Sequence, residues 1–304
     1  MKLSGVFVPA TTPFDPVTGD LDIISFRRNA RSWLGDGVSG LVLFGSTGEG
    51  LLLEPDERTR LLESVRELTE DGQLLLAGTG AESTRAAIRL SRAAADAGAD
   101  AVLIHPPAYY KPQMSPESLR DHFEAVAEAS PLPVILYQVP TAYSGIELQS
   151  GLVAQLSQHP NIVGIKDSSG DLKTLGALVE NAATDGFSVV VGNGSILYAG
   201  LEVGATGGIL AVAALAPRYS VELFRSKSGG DEAEAGRIQE QLAPLHRAVV
   251  GTLGVPGIKA AMDMLGLAGG PPRSPLKPLR YKQRAAVREA LVSAGLLDEA
   301  VADR

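Results

Sequence analysis

Eight short apolar runs recur along this chain with amphipathic stretches between them, and that alternation narrows the fold more than any other feature. The runs cover residues 5–13, 40–48, 73–80, 101–107, 133–140, 162–169, 187–194 and 204–214. They show no in/out alternation, the pattern of parallel strands buried on both faces. The stretches between them carry helix-start signals. Pro55-Asp56-Glu57 heads 58–69, Ser83-Thr84 precedes 85–97, and Ser115-Pro116-Glu117 opens a stretch reaching Ala129. Gly98, Gly186 and Gly204 follow such stretches, where a left-handed C-cap belongs. Strand and helix alternating about eight times predict a (β/α)8 TIM barrel, with a doubly wound open sheet as runner-up. After Pro217 the pattern is helical only, over about 218–227, 231–250, 256–267 and 282–294. The expected division is a site-bearing barrel over 1–228 and a C-terminal helical extension over 229–304 packed on it.

Composition excludes several function classes. The chain has 304 residues, 45% hydrophobic and 20% charged, enough apolar surface for a large core. It holds no cysteine, so disulfides and thiolate metal sites are ruled out. A net charge of -8 without a basic run gives no footprint for nucleic acid. No apolar stretch reaches the ~18 residues of a membrane span, and the opening residues lack a signal-peptide pattern. A soluble, cytoplasmic chain acting on a small molecule is the expectation, with no nucleic-acid or membrane partner.

In a barrel of this kind chemistry sits at the C-terminal ends of the strands. Lys166 lies there in Ile162-Val163-Gly164-Ile165-Lys166-Asp167, and an ammonium inside an apolar strand is costly unless paired or neutral. Desolvation favours the neutral amine, the form that adds to a carbonyl. A lysine paired with Asp167 or reaching the barrel rim would read the same way. Gly45-Ser46-Thr47-Gly48-Glu49 closes the second run, and two hydroxyls between glycines can converge with backbone N–H groups on a carboxylate or phosphate. An ordinary turn capping the next helix is the alternative. Tyr137 ends the fifth run, where a phenol could pass protons to a carbonyl addition at Lys166, or simply pack in the core. The four histidines are scattered without metal-ligand spacing, so neither a metal nor a cofactor is expected.

With these groups in place, the chain resembles the dihydrodipicolinate synthase / N-acetylneuraminate lyase family from about Gly5 to Leu279. The resemblance implies a Schiff-base lyase or aldolase of class I. Its imine lysine falls on Lys166, its proton-relaying tyrosine on Tyr137, and its pyruvate carboxylate site on Ser46 and Thr47, with Gly48 beside them. Tyr110, second of the Tyr109-Tyr110 pair, matches a tyrosine that reaches a neighbouring subunit's site, so a homotetramer is implied. Ile209 matches a residue lining the pyruvate pocket. Within the family the likeness is greatest to 4-hydroxy-2-oxoglutarate aldolase, carried by the stretches 74–84, 156–164, 255–259 and 269–271.

The departures point the same way. The family's synthases carry an arginine shortly after Tyr-x-Val-Pro that grips the aldehyde's carboxylate, whereas Thr141-Ala142-Tyr143-Ser144 follows here. Asn193-Gly194-Ser195 replaces the acidic pair of sialic-acid lyases. The expected reaction is therefore cleavage of 4-hydroxy-2-oxoglutarate to pyruvate and glyoxylate, with Ser144, Asn193 and Ser195 as donors for the small carboxylate. Condensation of pyruvate with aspartate semialdehyde, or sugar-acid chemistry, is the alternative. A small-molecule sensor on an inactivated barrel would lack Lys166 or Tyr137, and both are present.

Overall fold

The computed structural model describes residues 1–298. Eight parallel strands close into one barrel: β1 Gly5–Pro9, β2 Gly40–Leu43, β3 Leu74–Gly78, β4 Ala101–Ile104, β5 Val134–Gln138, β6 Ile162–Asp167, β7 Ser188–Val191 and β8 Gly207–Ile209. Each pairs with the next, and β1 pairs with β8 to complete the ring. An open doubly wound sheet is thereby excluded. The strands are shorter than the apolar runs, because each run continues into the loop or 3-10 turn beyond the strand end. After β8, for example, Ala211–Ala214 form a buried 3-10 turn.

The missing polar alternation has a plain cause. Phe7, Val42, Leu76, Leu103, Ile135, Val190 and Ile209 pack inside the barrel. Their neighbours Val6, Leu41, Leu75, Val102, Leu136 and Val189 pack outward against the helices. Both faces of every strand are dry, so both parities are apolar. Trp33, in the helix Ile23–Gly35, is wholly buried and donates from its indole N–H to the Ala214 carbonyl at 3.1 Å, which ties the first helix to the end of the last strand segment.

Helix starts follow the expected signals. Pro55 opens the helix Pro55–Arg66, Ser83 accepts from the Ala86 N–H, and Ser115 accepts from the Ser118 N–H. Gly98 and Gly204 take positive φ as predicted. Gly186 does not. The helix Leu172–Ala182 has already ended at Ala183, and Gly186 lies in a turn closed by the Thr184–Phe187 bridge.

The helical region after Gly229 departs from expectation at one point. Instead of one helix over 231–250, an α-helix Glu232–Leu245 widens into a π-helical turn at His246–Gly251. Pro244 has no N–H to donate inside this helix, and a widened turn is one way to accommodate the lost bond. The next helix, Thr252–Met264, is broken at Gly254 (φ 59°, ψ -146°), and Tyr281–Ser293 follows it. Among the described residues no helix is long and apolar enough to cross a membrane.

Two histidines are held neutral in this core. Burial lowers His122 to about 4, with His105 adding to the effect and Glu82 opposing it, and burial likewise lowers His246 to about 4. Each keeps a buried ring nitrogen without a partner, so no acceptor favours its cationic form. An unfolded histidine near 6.5 binds its proton first. The stability these rings contribute is therefore complete above pH 6.5 and is lost as pH falls toward about 4. The loss amounts to roughly 3 kcal/mol per ring. Urea unfolding midpoints should drop between pH 7 and 4.5, and His122→Gln, which keeps an acceptor for Thr84, should flatten part of that drop. An identical pH dependence in the variant would show that carboxylates alone cause it.

Candidate active site

The site begins with a register irregularity. β5 and β6 pair Val134 with Ile162 but Ile135 with Gly164, so β6 carries one extra residue at that point. Without it, Tyr137 would face Ile165. With it, Tyr137 pairs with Lys166 and Gln138 with Asp167. Both side chains consequently turn into the barrel. Lys166 is 5% exposed, and its Nζ stands 4.2 Å from the centroid of the Tyr137 ring. The alternative pairing with Asp167 is excluded, because that carboxylate accepts from the Ser169 N–H at 3.0 Å and the Ser169 hydroxyl at 2.8 Å.

The Tyr137 phenol is perturbed in two directions. Burial pushes its pKa up, while the Lys166 charge and hydrogen bonds with Ser46, Ser168 and Lys166 pull it down, and the downward pull wins. A phenol balanced this way gives up and takes back a proton more easily than a free tyrosine.

Ser46 and Thr47 lie on the turn after β2, a strained piece of backbone. Phe44 and Glu49 both take left-handed φ (61° and 56°), which costs about 1–3 kcal/mol at such residues. Phe44 is accommodated because Gly50 and Gly78 lack a Cβ: on either, one would overlap the Phe44 carbonyl oxygen. Arg58 closes the arrangement, donating to the Gly78 carbonyl at 3.0 Å and to the Gly50 carbonyl. Thr12 donates to the Gly48 carbonyl at 2.8 Å, and Gly48 sits tight against the Ala10 carbonyl. Among the described residues, the backbone N–H groups of Ser46 and Thr47 have no protein acceptor. They remain available, with two hydroxyls, for an anionic group.

A cavity of about 390 Å³ is lined by Gly45, Ser46, His105, Tyr137, Tyr143 and Leu276, among others. Ile209, fully buried and registered with Phe7, belongs to the same interior cluster as Tyr137. Of the predicted residues, Tyr137 and Ser46 line the cavity, while Lys166 and Ile209 stand at the C-terminal ends of β6 and β8 and Thr47 and Gly48 on the loop after β2. Two others make different contacts. Tyr110 is 65% exposed and packs edge-on against Tyr109 at 5.0 Å. Asn193 uses its side-chain oxygen to accept from the Ser195 N–H at 3.0 Å and the Ser195 hydroxyl at 2.7 Å. Among the described residues no group of three His, Asp or Glu side chains could hold a metal ion.

Sequence reasoning missed Ser168 as a partner of Tyr137, and it missed the buried contact of Glu49 with Lys259 at 2.6 Å. A signal for the second existed. Lys259 interrupts an apolar helical stretch, Gly257-Ile258-Lys259-Ala260-Ala261-Met262, and a charge so placed needs a partner.

Comparison with known proteins agrees with this geometry. The model of the dihydrodipicolinate synthetase family matches residues 2–294. This chain belongs to that family. It is an enzyme family of the class I, Schiff-base aldolase type. A 4-hydroxy-tetrahydrodipicolinate synthase of Methanothrix thermoacetophila is 39% identical, over 94% of this chain and 95% of its own. Another from Methanoculleus marisnigri is 38% identical, over 96% and 99%. Among solved structures, a chloride-inhibited dihydrodipicolinate synthase from Acinetobacter baumannii, complexed with pyruvate, superposes with a TM-score of 0.91 at 34% identity, over 97% of this chain and 99% of that one.

These relatives overturn the reading of the chain as a 4-hydroxy-2-oxoglutarate aldolase. The structure supplies the physical reason. The donors expected to hold glyoxylate are engaged locally: Ser144 bonds the backbone of Ile146, and Ser195 bonds Asn193. Nor is the segment after Pro140 without a cation. The Lys111 ammonium lies against Gly145, where a Cβ would come within 2.6 Å of it. A missing arginine at one position did not mean a missing positive charge.

The phenol balance is directly measurable. An alkaline tyrosinate titration of the chain minus that of Tyr137→Phe should show one phenol ionising below the ordinary tyrosine range. Ser168→Ala should move that step upward by removing a donor to the phenolate. A step above the ordinary range would mean that burial prevails over the Lys166 charge.

Proposed function

We propose that this chain condenses pyruvate with aspartate semialdehyde through an imine on Lys166, the reaction of a 4-hydroxy-tetrahydrodipicolinate synthase. The observation that carries it is the Lys166–Tyr137 pair inside the barrel mouth, in a chain whose curated relatives bear that name.

Pyruvate would place its carboxylate on the hydroxyls and free N–H groups of Ser46 and Thr47. Its keto carbon then meets the Lys166 amine, beside the Ile209 side chain. Once its proton has passed to the Tyr137 oxygen, the Lys166 amine adds to C2, Tyr137 delivers that proton to the carbinolamine oxygen, and water leaves as the iminium forms. Loss of a C3 proton gives the enamine, whose carbon attacks the semialdehyde carbonyl while the new oxygen takes a proton. The amino group of the added four-carbon unit then attacks the imine carbon and displaces Lys166, closing the ring. One water is lost for each pair of substrates joined, and the lysine returns to its starting state. Lys111, beside the turn after Pro140, supplies positive charge for the semialdehyde's carboxylate.

Tyr110 is read as working in the site of a neighbouring copy, within a homotetramer. Tyr109, Tyr110 and Leu51 are large apolar side chains left exposed on one chain, as an assembly surface would leave them.

Borohydride reduction with pyruvate should mark the peptide containing Lys166 with a reduced three-carbon adduct. An adduct on Lys111 or Lys259 instead, or none, would sink the imine assignment. Tyr137→Phe, which keeps the ring, should lower kcat by roughly 10²–10⁴-fold at unchanged Tm. With pyruvate fixed, kcat/KM for semialdehyde condensation should exceed that for any competing aldehyde, and turnover of glyoxylate alone would refute the substrate assignment. Sedimentation should show a tetramer, and Tyr110→Phe should reduce kcat without dissociating it. A fully active monomer contradicts the shared-site reading.

A further inference from the structure

A fully buried ion pair beside the site is one the mechanism does not use. Glu49 ends the loop that carries Ser46 and Thr47, and its side chain is 0% exposed; Lys259, from the C-terminal helical region, is 1% exposed. The Lys259 ammonium donates to Glu49 Oε1 at 2.6 Å and to the Thr12 carbonyl at 2.8 Å. Glu49 Oε2 accepts from the Arg273 backbone N–H at 2.7 Å. Lys259 and Arg273 also lie over the Phe14 ring, at 4.6 and 4.2 Å. Two segments more than 200 residues along the chain thus converge on one loop carboxylate.

We propose that Lys259 is a positioning residue for substrate: through Glu49 it holds the carboxylate-binding loop in its strained shape. This rests on the reading of Ser46 and Thr47 as the pyruvate carboxylate site.

Three observations lead there. First, a buried ion pair is seldom worth more to stability than apolar residues of the same volume, so stability alone does not account for it. Second, the pair holds the loop at the residue where its backbone is left-handed; Glu49 has φ 56° and its N–H donates to the Ser46 carbonyl at 3.2 Å. Strained backbone persists only where surrounding contacts over-determine it. Third, Thr12 is held twice, through its carbonyl by Lys259 and through its hydroxyl to the Gly48 carbonyl at 2.8 Å, so the end of the first apolar run, the loop and the C-terminal helix form one unit. Neither charged group of the pair contacts Lys166 or Tyr137. Its effect on the reaction passes through the placement of Ser46 and Thr47.

Breaking the pair should therefore weaken pyruvate binding more than it slows bound pyruvate. The first variant is the double substitution Glu49→Gln with Lys259→Met, which removes both charges at similar volume. The second is Glu49→Gln alone, which keeps an acceptor for Lys259. In that variant the lysine, whose pKa burial already lowers, can shed its proton instead of unfolding the chain. Borohydride trapping over a pyruvate series reads half-saturation, and steady-state assays read KM and kcat. Half-saturating pyruvate should rise about tenfold or more, kcat at saturating pyruvate should fall by less, and KM for the semialdehyde should stay as it was. Arg66→Met breaks an ion pair to Asp100 at the opposite end of the barrel and should leave all three unchanged. If the unaltered chain traps pyruvate and both variants trap it with the same half-saturation, the positioning role is wrong while the imine reading stands. A lowered Tm with unchanged KM likewise overturns it. No adduct in the unaltered chain overturns both.

Discussion

A closed eight-stranded barrel has no room for an unsolvated charge. The candidate site is arranged around how one lysine is kept inside it. Lys166 is tolerated because the face of Tyr137 stands 4.2 Å from its Nζ, at the barrel end where the cavity opens. The contact depends on one extra residue in β6. That irregularity moves Ile165 outward against the helices and turns Lys166 inward opposite Tyr137. Gly164 then falls where a Cβ would come within 2.5 Å of the Ser188 carbonyl oxygen and 3.3 Å of the Leu3 side chain. The lysine, its glycine neighbour and the shifted register form one local solution.

The same end of the barrel stores most of the backbone strain. Phe44 and Glu49 are the two non-glycine residues with positive φ among those described, and they bracket the loop with Ser46 and Thr47. Arg58, Thr12, Lys259 and the Arg273 backbone hold that loop from four directions. Rigid hydroxyls and N–H groups bind a small carboxylate without the entropic cost of ordering them first. The helical region after the barrel is therefore more than packing, since two of those anchors come from it.

Under the proposed reaction, discrimination between second substrates falls to the loops outside this frame. An argument from one absent arginine led to a compact acceptor, and the relatives contradict it. Lys111 reaches the turn after Pro140 from another loop, while Ser144 and Ser195 spend their hydroxyls on their own turns. Side-chain type at a position says what chemistry is available. Whether a hydroxyl faces substrate or its own backbone is decided by loop geometry.

The sequence by itself determined the barrel and most helix starts, and it singled out Lys166, Tyr137, Ser46 and Thr47 as candidate groups. It could do so because burial on both strand faces, capping and the rarity of a strand lysine all leave marks in local composition. Three matters were settled only by tertiary structure. Pairing Tyr137 with Lys166 needed a register shift that no composition signals, since Ile165 and Lys166 are adjacent and either could face the phenol. Joining Glu49 to Lys259 needed the C-terminal helix to fold back across more than 200 residues, although a lone lysine in an apolar helix hinted at a partner. The third is the widening of the helix into a π turn at His246–Gly251, just after Pro244. Local patterns report what each segment must bury; which buried groups meet depends on the closed ring, and no single segment contains that information.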